Sequence, residues 1–376
     1  MKLIGESFSW NEQIFESSIE GMCEQVRAFP SDLVAFWAHT TPEVVLTFFA
    51  TWKVGKVAYP INTRLPKAPT PLFTPTMPKP CPPTPTHWDL GRTAAHLLTS
   101  GSTGVPKVAQ LTLGNLVYNA EGSNQILPLR EDDVWGLTLP LFHVGGIGIL
   151  LRSYLANSTV SLDTRPATRL SLVPTQLYRL LKAPPPRLKT VLLGGAPLPS
   201  LETPWHVVPT YGMTEMSSQI VTNHQVHPYA ELKIEQDQEI WVKGKTLFQG
   251  YVNHPPVQDW FPTGDLGRWK NGIFEILGRK DNMFISGGEN IQPEEIEEVI
   301  QRVCGLLEAV VVPLNDAEFG QRPGVFLSDP TLLSKLQDQL QDHLPKYKIP
   351  IKAFPLVETR GLKPNRKILS QIANEG

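Results

Sequence analysis

A stretch of small hydroxyl residues and glycines, TSGSTGVPK, has the composition of a loop that holds phosphate. It runs from Thr99 to Lys107. Backbone N–H groups in such a loop can surround phosphate oxygens, and the lysine adds a positive charge. The stretch is not a Walker A sequence, because Val105 and Pro106 precede the lysine and Val108 follows it. The alternative interpretation is a flexible Gly/Ser turn.

Two further stretches carry groups that suit a nucleotide. In YGMTE, Tyr211 can stack on a base and Glu215 can hold Mg²⁺ through a carboxylate oxygen. In TGD, which ends at Asp265, and in GRKDN, which contains Arg279, a carboxylate and a guanidinium suit a ribose diol. Taken singly, YGMTE is equally well a short polar loop, and TGD is a common turn.

The elements that must position these groups are apolar runs that end in polar clusters. The runs are HLLTSGSTG, WGLTLPLFH, LKTVLLGGAPLP and HVVPTYGMTE. Each predicts a strand that leads into a loop at its carboxyl end, which is where ligands bind in open α/β sheets. Before them, Pro42 to Val57 has the small and apolar residues of a buried helix.

The second part of the chain has a different pattern. From Glu231 to Phe274, alternating runs such as ELKIE and QEIWVKG predict strands joined by glycine-containing turns. From Asn282 onward a smaller unit is predicted. It comprises a helix that starts at Pro293, a strand (EAVVVPL) and a second helix (LLSKLQDQLQDHL).

The chain has 36 prolines in 376 residues, nearly twice the usual share of about 5%. Nine of them lie between Pro66 and Pro85. Each proline removes a donor and fixes φ, so this run cannot form a helix or an inner strand. It predicts an extended surface connector, and a ligand for a proline-binding module is the alternative.

Composition excludes several classes of function. The net charge is −2 and only 19% of residues are charged, so no basic surface is predicted for nucleic acid. The three cysteines have no metal-ligand spacing and predict neither a disulfide framework nor an oxidising compartment, which favours the cytoplasm. Met1 to Trp10 has no apolar run typical of a secretory signal.

One segment, Val134 to Leu151, has no charged residue and is near the lower length limit of a membrane span. It contains Pro140, His143 and several glycines. These favour a buried core segment with a turn in it, so no integral membrane association is expected.

Together and in this order, the motifs resemble the superfamily of acyl-CoA synthetases, peptide-synthetase adenylation domains and firefly luciferase. TSGSTGVPK is similar to the phosphate-binding loop of that superfamily, GGAP (194–197) to its adenine-side loop, and YGMTE to its aromatic-to-magnesium loop. TGD is similar to its ribose-binding turn, and 278–297 to its hinge and second-step segment. The resemblance extends from about Val57 to Arg366.

The resemblance implies an α/β fold with two domains. Residues 1–280 would form a large N-terminal domain of packed mixed sheets and helices plus a distorted β-barrel-like part. Residues 281–376 would form a small, mobile α+β C-terminal domain that turns about Asp281. The connector, 66–85, would replace a longer stretch of the family's large domain, which would therefore be shortened.

The resemblance also implies two chemical steps, acyl-AMP formation from ATP and transfer of the acyl group to CoA. Lys363, His143 and Glu215 would be catalytic, and Glu215 would also hold Mg²⁺. ATP binding would fall to Thr99, Ser100, Gly101, Ser102, Thr103, Gly104, Lys107, Gly194, Gly195, Ala196, Tyr211, Gly212, Thr214, Asp265 and Arg279. The acyl and CoA sites would be formed by Phe142, His143, Arg152, Ser217, Ser218, Ser286, Gly287 and Gly288.

Longer stretches resemble the o-succinylbenzoate–CoA ligase family of menaquinone and phylloquinone biosynthesis. They are LPLFHVGG, SLVPTQLYRLL, YGMTEMSSQ, DNMFISGGENIQPEEIEE and EFGQRP. The expected partners are therefore small molecules, namely an aryl dicarboxylic acid, ATP and CoA, and the enzyme could form a homo-oligomer. The terminal lysine motif reads TRGLKPNR, with Leu362 where glycine is usual in the family, but Lys363 and Arg366 keep the expected spacing.

Other interpretations stay open from the sequence. The enzyme could act on another aryl or acyl acid, or load a carrier-protein thiol instead of CoA. A non-catalytic acyl-AMP or nucleotide sensor is the alternative from another class, but Glu215, Asp265 and Lys363 are all retained. His143 could be a core histidine. Arg152 is the candidate partner for the unreacted carboxylate of a dicarboxylic acid, since a buried anion needs a partner; it could equally be a surface arginine with a buried stem.

Overall fold

The computed structural model describes residues 1–68, 71–85, 87–99, 107–194, 203–306, 308–357 and 365–375. They fall into two units. The first comprises the described residues up to 233 together with 241–261, and the second comprises 234–240 and the described residues from 262 onward. Both contain helices and sheets, which confirms the predicted α/β class.

The elements of the described residues follow in chain order. The helices are α1 (Glu12–Ala28), α2 (Pro42–Lys53), α3 (Leu113–Ile126), α4 (Val144–Leu155), α5 (Pro174–Lys182), α6 (Pro293–Cys304), α7 (Leu333–Leu340) and α8 (Arg366–Glu375). The first strands are β1 (Lys2–Gly5), β2 (Phe8–Trp10), β3 (Leu33–Trp37), β4 (Val57–Ile61), β5 (Thr93–Thr99), β6 (Lys107–Thr112), β7 (Val134–Gly136), β8 (Thr159–Ser161), β9 (Arg169–Leu172), β10 (Thr190–Gly194), β11 (His206–Met213) and β12 (Ser218–Thr222). The remaining strands are β13 (Gln225–Val226), β14 (Ala230–Ile234), β15 (Glu239–Gly244), β16 (Gly250–Tyr251), β17 (Phe261–Lys270), β18 (Ile273–Arg279), β19 (Phe284–Ser286), β20 (Glu289–Ile291), β21 (Ala309–Asp316), β22 (Gly320–Leu327) and β23 (Ala353–Pro355).

Two sheets form the framework of the first unit. One has the order β13-β12-β11-β10-β9-β7-β8-β1-β2, and its central strands from β11 to β1 are parallel. The other has the order β16-β6-β5-β4-β3, in which β3, β4 and β5 are parallel and β6 returns antiparallel to β5. Apolar side chains of both sheets and of α1 to α4 share one core. The carboxyl ends of β5 and β10 thus carry the predicted loops.

The helix that was predicted over Pro42 to Val57 is shorter than expected. It begins as the sequence indicates, with Thr41 as the N-cap and Pro42 in the first turn. It ends at Lys53, and Gly55 has a φ of +75°. That left-handed conformation favours glycine and reverses the chain, so Val57 already starts β4.

The uncharged segment Val134 to Leu151 is a strand followed by a helix. β7 is fully buried, a turn with Pro140 follows, and α4 begins at Val144. This confirms a core segment with a turn in it. No helix of the described residues is both long and apolar enough to span a membrane.

The described part of the proline-rich connector contains neither helix nor strand, as predicted. It lies along α1: Cys81 N donates to Ser17 O at 2.9 Å, and the Gln25 side chain bonds the backbone of Thr76. Gly21 permits this approach, because a Cβ there would lie 2.0 Å from a connector carbonyl oxygen. The connector therefore packs against α1 of the first unit.

The second unit has a three-stranded sheet with helices on both faces. β21 pairs antiparallel with β22, which pairs parallel with β23. Alternate residues of β21 face opposite sides: Val311 packs with the apolar residues of α6 and α7, whereas Val310 and Val312 pack with Leu369 of α8. The helix predicted from Pro293 is present as α6, and the second predicted helix is shorter and ends at Leu340.

Candidate active site

The two ends of the predicted phosphate loop are held together by a pair of strands. β5 ends at Thr99 and β6 begins at Lys107, and these two residues are register partners. The hydroxyl of Thr99 donates to the carbonyl oxygen of Lys107 at 3.3 Å. Ser100, Gly101, Ser102, Thr103 and Gly104 lie outside the described residues.

Lys107 and Glu215 both contact the same tyrosine, Tyr251. The ammonium nitrogen of Lys107 lies 5.0 Å from the centre of the Tyr251 ring, a distance at which a cation and a ring attract each other. The hydroxyl of Tyr251 donates to Oε1 of Glu215 at 2.7 Å. One end of the phosphate loop and the candidate magnesium ligand therefore belong to one group of contacting side chains.

The YGMTE motif is partly strand, whereas the sequence predicted that the loop would start at Tyr211. β11 continues to Met213 because β12 folds back and pairs with it, with a register shift between Tyr211 and Gly212. A Cβ at Gly212 would lie 1.8 Å from Ser218 O. No side chain fits there, so the glycine is required by the close approach of the two strands.

Glu215 occupies a tight turn whose backbone is fixed from several sides. It is buried within a 3-10 turn, Thr214–Met216. The carbonyl oxygen of Glu215 accepts from Phe248 N at 2.8 Å, and Ser217, the residue after the turn, has a φ of +60°. The Asn119 side chain of α3 donates to the carbonyl oxygens of Met216 and Gln219. These bonds hold the carboxylate in place before any ligand binds.

The predicted adenine-side loop starts beside this motif. β10 ends at Gly194, whose register partner in β11 is Thr210. Thr210 donates through its hydroxyl to Leu193 O at 3.3 Å. Gly194 thus lies one position from Tyr211 across the sheet, while Gly195 and Ala196 lie outside the described residues.

Arg152 is a buried cation without a carboxylate partner among the described residues. Its residue exposure is 2%, which excludes the alternative of a surface arginine. Nη2 donates to the hydroxyl of Ser218 at 3.3 Å, and the guanidinium lies 5.4 Å from the centre of the Trp135 ring. Nε has no hydrogen-bond partner in the described part of the chain. Burial lowers the pKa of Arg152 to about 10, so it stays charged at neutral pH.

A buried histidine in the same unit, His227, is neutral. Burial, and then the charge of Arg152, lowers the pKa of His227 to about 3. Its Nε2 lies 2.9 Å from the hydroxyl of Thr222. The only ionised group of this pair at neutral pH is therefore the arginine.

Phe142 and His143 lie at the turn before α4. Their ring centres are 4.6 Å apart. Phe142 borders an open cavity that is also lined by Arg64, His39 and Thr138. His143 is exposed, which excludes the core-histidine alternative. Loss of surrounding water, and then the charge of Arg64, lowers its pKa below the ordinary value.

In the second unit, the candidate ribose residues face each other across β17 and β18. Asp265 and Arg279 are register partners, and Nη1 of Arg279 donates to Oδ1 of Asp265 at 3.0 Å. Nε of the same guanidinium donates to Asp281 at 3.1 Å. One arginine therefore connects the predicted ribose carboxylate to the predicted hinge.

Ser286, Gly287 and Gly288 form the end of β19 and the turn into β20. Both glycines are exposed and have positive φ, +57° and +88°. The Ser286 side chain is buried, and its hydroxyl has no partner among the described residues. A Cβ on Gly288 would have no atom within 4 Å, so one side of this turn is open.

Lys363 lies outside the described residues, which resume two residues later. Arg366 begins α8 and makes a two-pronged pair with Glu297, at 2.6 and 3.1 Å. It also bonds Glu294 and the carbonyl oxygen of Val311. The segment that carries the predicted lysine is therefore anchored at its carboxyl end.

Sequence reasoning missed Asn119, Tyr251 and Trp135, which support Glu215 and Arg152. The position of Asn119 in the short apolar stretch LVYNA was an available signal, since buried polar groups need partners. Tyr251 and Trp135 carry no local signal, because their roles depend on contacts with residues 36 and 17 positions away.

Glu215 suits Mg²⁺ as a single protein ligand. No group of three or more His, Cys, Asp or Glu side chains in the described ranges is arranged to hold a metal. Magnesium at phosphate-transfer sites is commonly held by one or two carboxylates together with substrate phosphates. A fixed carboxylate that contacts the phosphate-loop lysine through Tyr251 fits that arrangement.

Comparison with known proteins identifies the family. The AMP-binding enzyme family matches residues 70–252. The 2-succinylbenzoate–CoA ligase of Escherichia coli (strain K12) is 34% identical, over 76% of this chain and 70% of its own length. The Bacillus subtilis o-succinylbenzoate CoA synthetase with the acyl-adenylate intermediate OSB-AMP superimposes with a TM-score of 0.82 at 28% identity, covering 94% of this chain and 91% of that one. The same synthetase with ATP and magnesium gives 0.81 at 29% identity, covering 94% and 92%.

Proposed function

Because the chain belongs to the 2-succinylbenzoate–CoA ligase family, we propose that it joins o-succinylbenzoate to CoA at the expense of ATP. It is an acid–thiol ligase that works through an acyl-AMP intermediate, in menaquinone biosynthesis. AMP and pyrophosphate are the other products. The roles of its residues follow from the two steps of this reaction.

In the first step, the substrate carboxylate attacks the α-phosphorus of ATP and pyrophosphate leaves. Catalysis of such a step depends on positioning and on cations near the phosphoryl oxygens. Lys107 and the hydroxyl and glycine residues of the loop from Thr99 would hold the β- and γ-phosphates. Lys363 would bridge the reacting carboxylate and the α-phosphate.

Residues of several motifs would hold the nucleoside. Tyr211 would stack on the adenine beside the loop formed by Gly194, Gly195 and Ala196, where Gly212 and Thr214 complete the wall. Asp265 and Arg279 would bind the ribose. Glu215 would hold Mg²⁺, which offsets phosphate charge when bound. The supporting observation for Glu215 is its fixed carboxylate beside Tyr251.

The observation that carries the substrate proposal is the buried charge of Arg152. A buried cation is costly unless an anion compensates it. o-Succinylbenzoate has two carboxylates and only one reacts, so the other would pair with Arg152. Ser217 and Ser218 would form the adjoining wall, because Ser218 already contacts the guanidinium.

In the second step, the small domain would turn about Asp281 and the thiol of CoA would attack the acyl-AMP. Ser286, Gly287 and Gly288 would line the path of the pantetheine arm, where glycine permits close approach. Phe142 and His143 would lie between the acyl and thiol paths. The three cysteines are free, which suits the reducing cytoplasm.

The test is a thioester assay with CoA across o-succinylbenzoate, benzoate, palmitate and other aryl and fatty acids. We expect o-succinylbenzoate to have the highest kcat/KM. Faster turnover of palmitate would refute the substrate. Pyrophosphate exchange with o-succinylbenzoate but no thioester with CoA would indicate a carrier-protein thiol as the acceptor.

A further inference from the structure

The motif EFGQRP, Glu318 to Pro323, has no role in the scheme above. It forms the turn between β21 and β22 and the start of β22. Oδ1 of Asp316 accepts from the backbone N–H groups of Glu318 and Phe319, at 2.9 and 2.8 Å. These bonds lower the pKa of Asp316, so the carboxylate stays ionised and keeps the shape of the turn.

This turn contacts the glycine turn between β19 and β20. Gly287 N donates to Phe319 O at 2.9 Å. The Phe319 ring fills the space above Gly287, where a Cβ would lie 2.8 Å from the ring edge. The guanidinium of Arg322 lies 5.3 Å from the centre of the same ring, which favours one ring orientation.

The glycine turn needs external support to keep one shape. Gly287 and Gly288 both have positive φ, as a two-residue hairpin of this type requires. Glycine also loses more conformational freedom than any other residue when it is ordered. Phe319 packs on the Gly287 side of the turn, whereas the Gly288 side is open. The contact thus orders the turn and leaves free the side that a ligand could approach.

We propose that Phe319, oriented by Arg322, is a positioning residue for the thioester-forming step. It would hold the Gly287–Gly288 turn in the conformation that admits the pantetheine arm of CoA. Phe319 has no role in the first step as proposed above, so acyl-AMP formation would not depend on it. This inference rests on the proposed function, in which the glycine turn serves the second step.

The experiment measures the two half-reactions separately in Phe319→Ala. Pyrophosphate exchange reports acyl-AMP formation, and thioester formation from presynthesised o-succinylbenzoyl-AMP and CoA reports the second step. We expect exchange at the wild-type rate and a second step that is slower by about tenfold or more, since loss of alignment acts on the step being aligned. Phe319→Tyr should restore the second step, and Arg322→Gln should slow it to a smaller extent.

Trp269→Ala is the matched control. Trp269 is an aromatic residue of similar exposure in the same unit, 44% against 39% for Phe319, and its ring packs on Phe274. It should affect neither half-reaction. Equal losses in both steps for Phe319→Ala, or a normal second step, would overturn the inference. A wild-type enzyme that makes no thioester with CoA would instead overturn the proposed function.

Discussion

Replacement of Arg152 by methionine tests two effects of its buried charge separately. One is the effect on the stability of the fold, and the other is the effect on activity with a dicarboxylate substrate. In the substrate-free protein the guanidinium has a serine hydroxyl and a ring as neighbours and no carboxylate in the described residues. Its pKa is about 10 instead of 12.5, which corresponds to roughly 3 kcal/mol against the charged form. The wild-type protein bears this cost at neutral pH, so Arg152→Met should unfold at a temperature no lower than the wild type, although it loses a large side chain.

Although its stability should not fall, Arg152→Met should lose activity with o-succinylbenzoate. Without Arg152 the unreacted carboxylate of o-succinylbenzoate is left unpaired, at about 2–5 kcal/mol if the pair is buried. This lowers kcat/KM by roughly 30-fold to a few thousandfold. A monocarboxylate analogue has no group to lose a partner, so its kcat/KM should change little. The assay is steady-state thioester formation with both substrates, together with thermal unfolding of the substrate-free proteins.

Arg169 is the matched control. It is also largely buried, but it pairs with the buried Asp133 at 2.9 Å. Arg169→Met leaves that carboxylate without its partner and should cost about 3–5 kcal/mol of stability, with equal effects on the two substrates. If Arg152→Met reduces activity on both substrates equally, or destabilises the protein as much as Arg169→Met does, the reasoning about an uncompensated charge is wrong.

Three other predictions concern the two steps and the pH dependence of stability. Lys363→Ala should slow acyl-AMP formation by about a hundredfold or more and leave thioester formation from presynthesised acyl-AMP nearly unchanged; equal slowing of both, or a block by Lys367→Ala instead, would contradict the assigned role. Glu215→Gln should raise the Mg²⁺ concentration for half-maximal pyrophosphate exchange by about tenfold or more, and Tyr251→Phe by less; an unchanged Mg²⁺ dependence would exclude Glu215 as the ligand. His227 has a pKa of about 3 in the folded protein, so the unfolded chain takes up its proton first, and stability is full above pH 6.5 and declines as the pH falls towards 3. Urea unfolding at pH 7 and pH 5 should show a loss of about 1–2 kcal/mol from this group, which His227→Gln should remove; an identical loss in the variant would refute it.

The sequence predicts well those features that depend on neighbouring residues. The start of α2 at Pro42, the start of α6 at Pro293 and the absence of helix and strand in the described part of the proline-rich connector follow from local patterns. The end of α2 and the extension of β11 through Gly212 do not. The first depends on the chain reversal at Gly55, and the second on pairing with a strand that comes later in the chain.

Within the candidate site, the sequence identifies the type of group but not the contacts that fix it. Glu215 was predicted from its motif, whereas Asn119 and Tyr251 were not. Asn119 bonds the backbone of the turn that contains Glu215, and Tyr251 bonds its carboxylate. Both residues are far from Glu215 along the chain, so the sequence does not indicate these contacts. The same holds for Phe319 and Gly287, which are 32 positions apart and joined by one hydrogen bond. Such contacts determine whether a loop has one conformation, and they follow from the register of strands.

Arg152 and Arg169 show that the role of a buried arginine depends on whether a carboxylate of the protein pairs with it. Each arginine has one leucine and one hydroxyl residue as its chain neighbours, and from the sequence each could be a structural ion pair, a surface side chain or a ligand-binding cation. The fold places Asp133 against Arg169 and leaves the described surroundings of Arg152 without any carboxylate. A neutral His227 beside Arg152 does not compensate its charge. No carboxylate of the described residues therefore balances the positive charge of Arg152, and the second carboxylate of the proposed substrate would supply one.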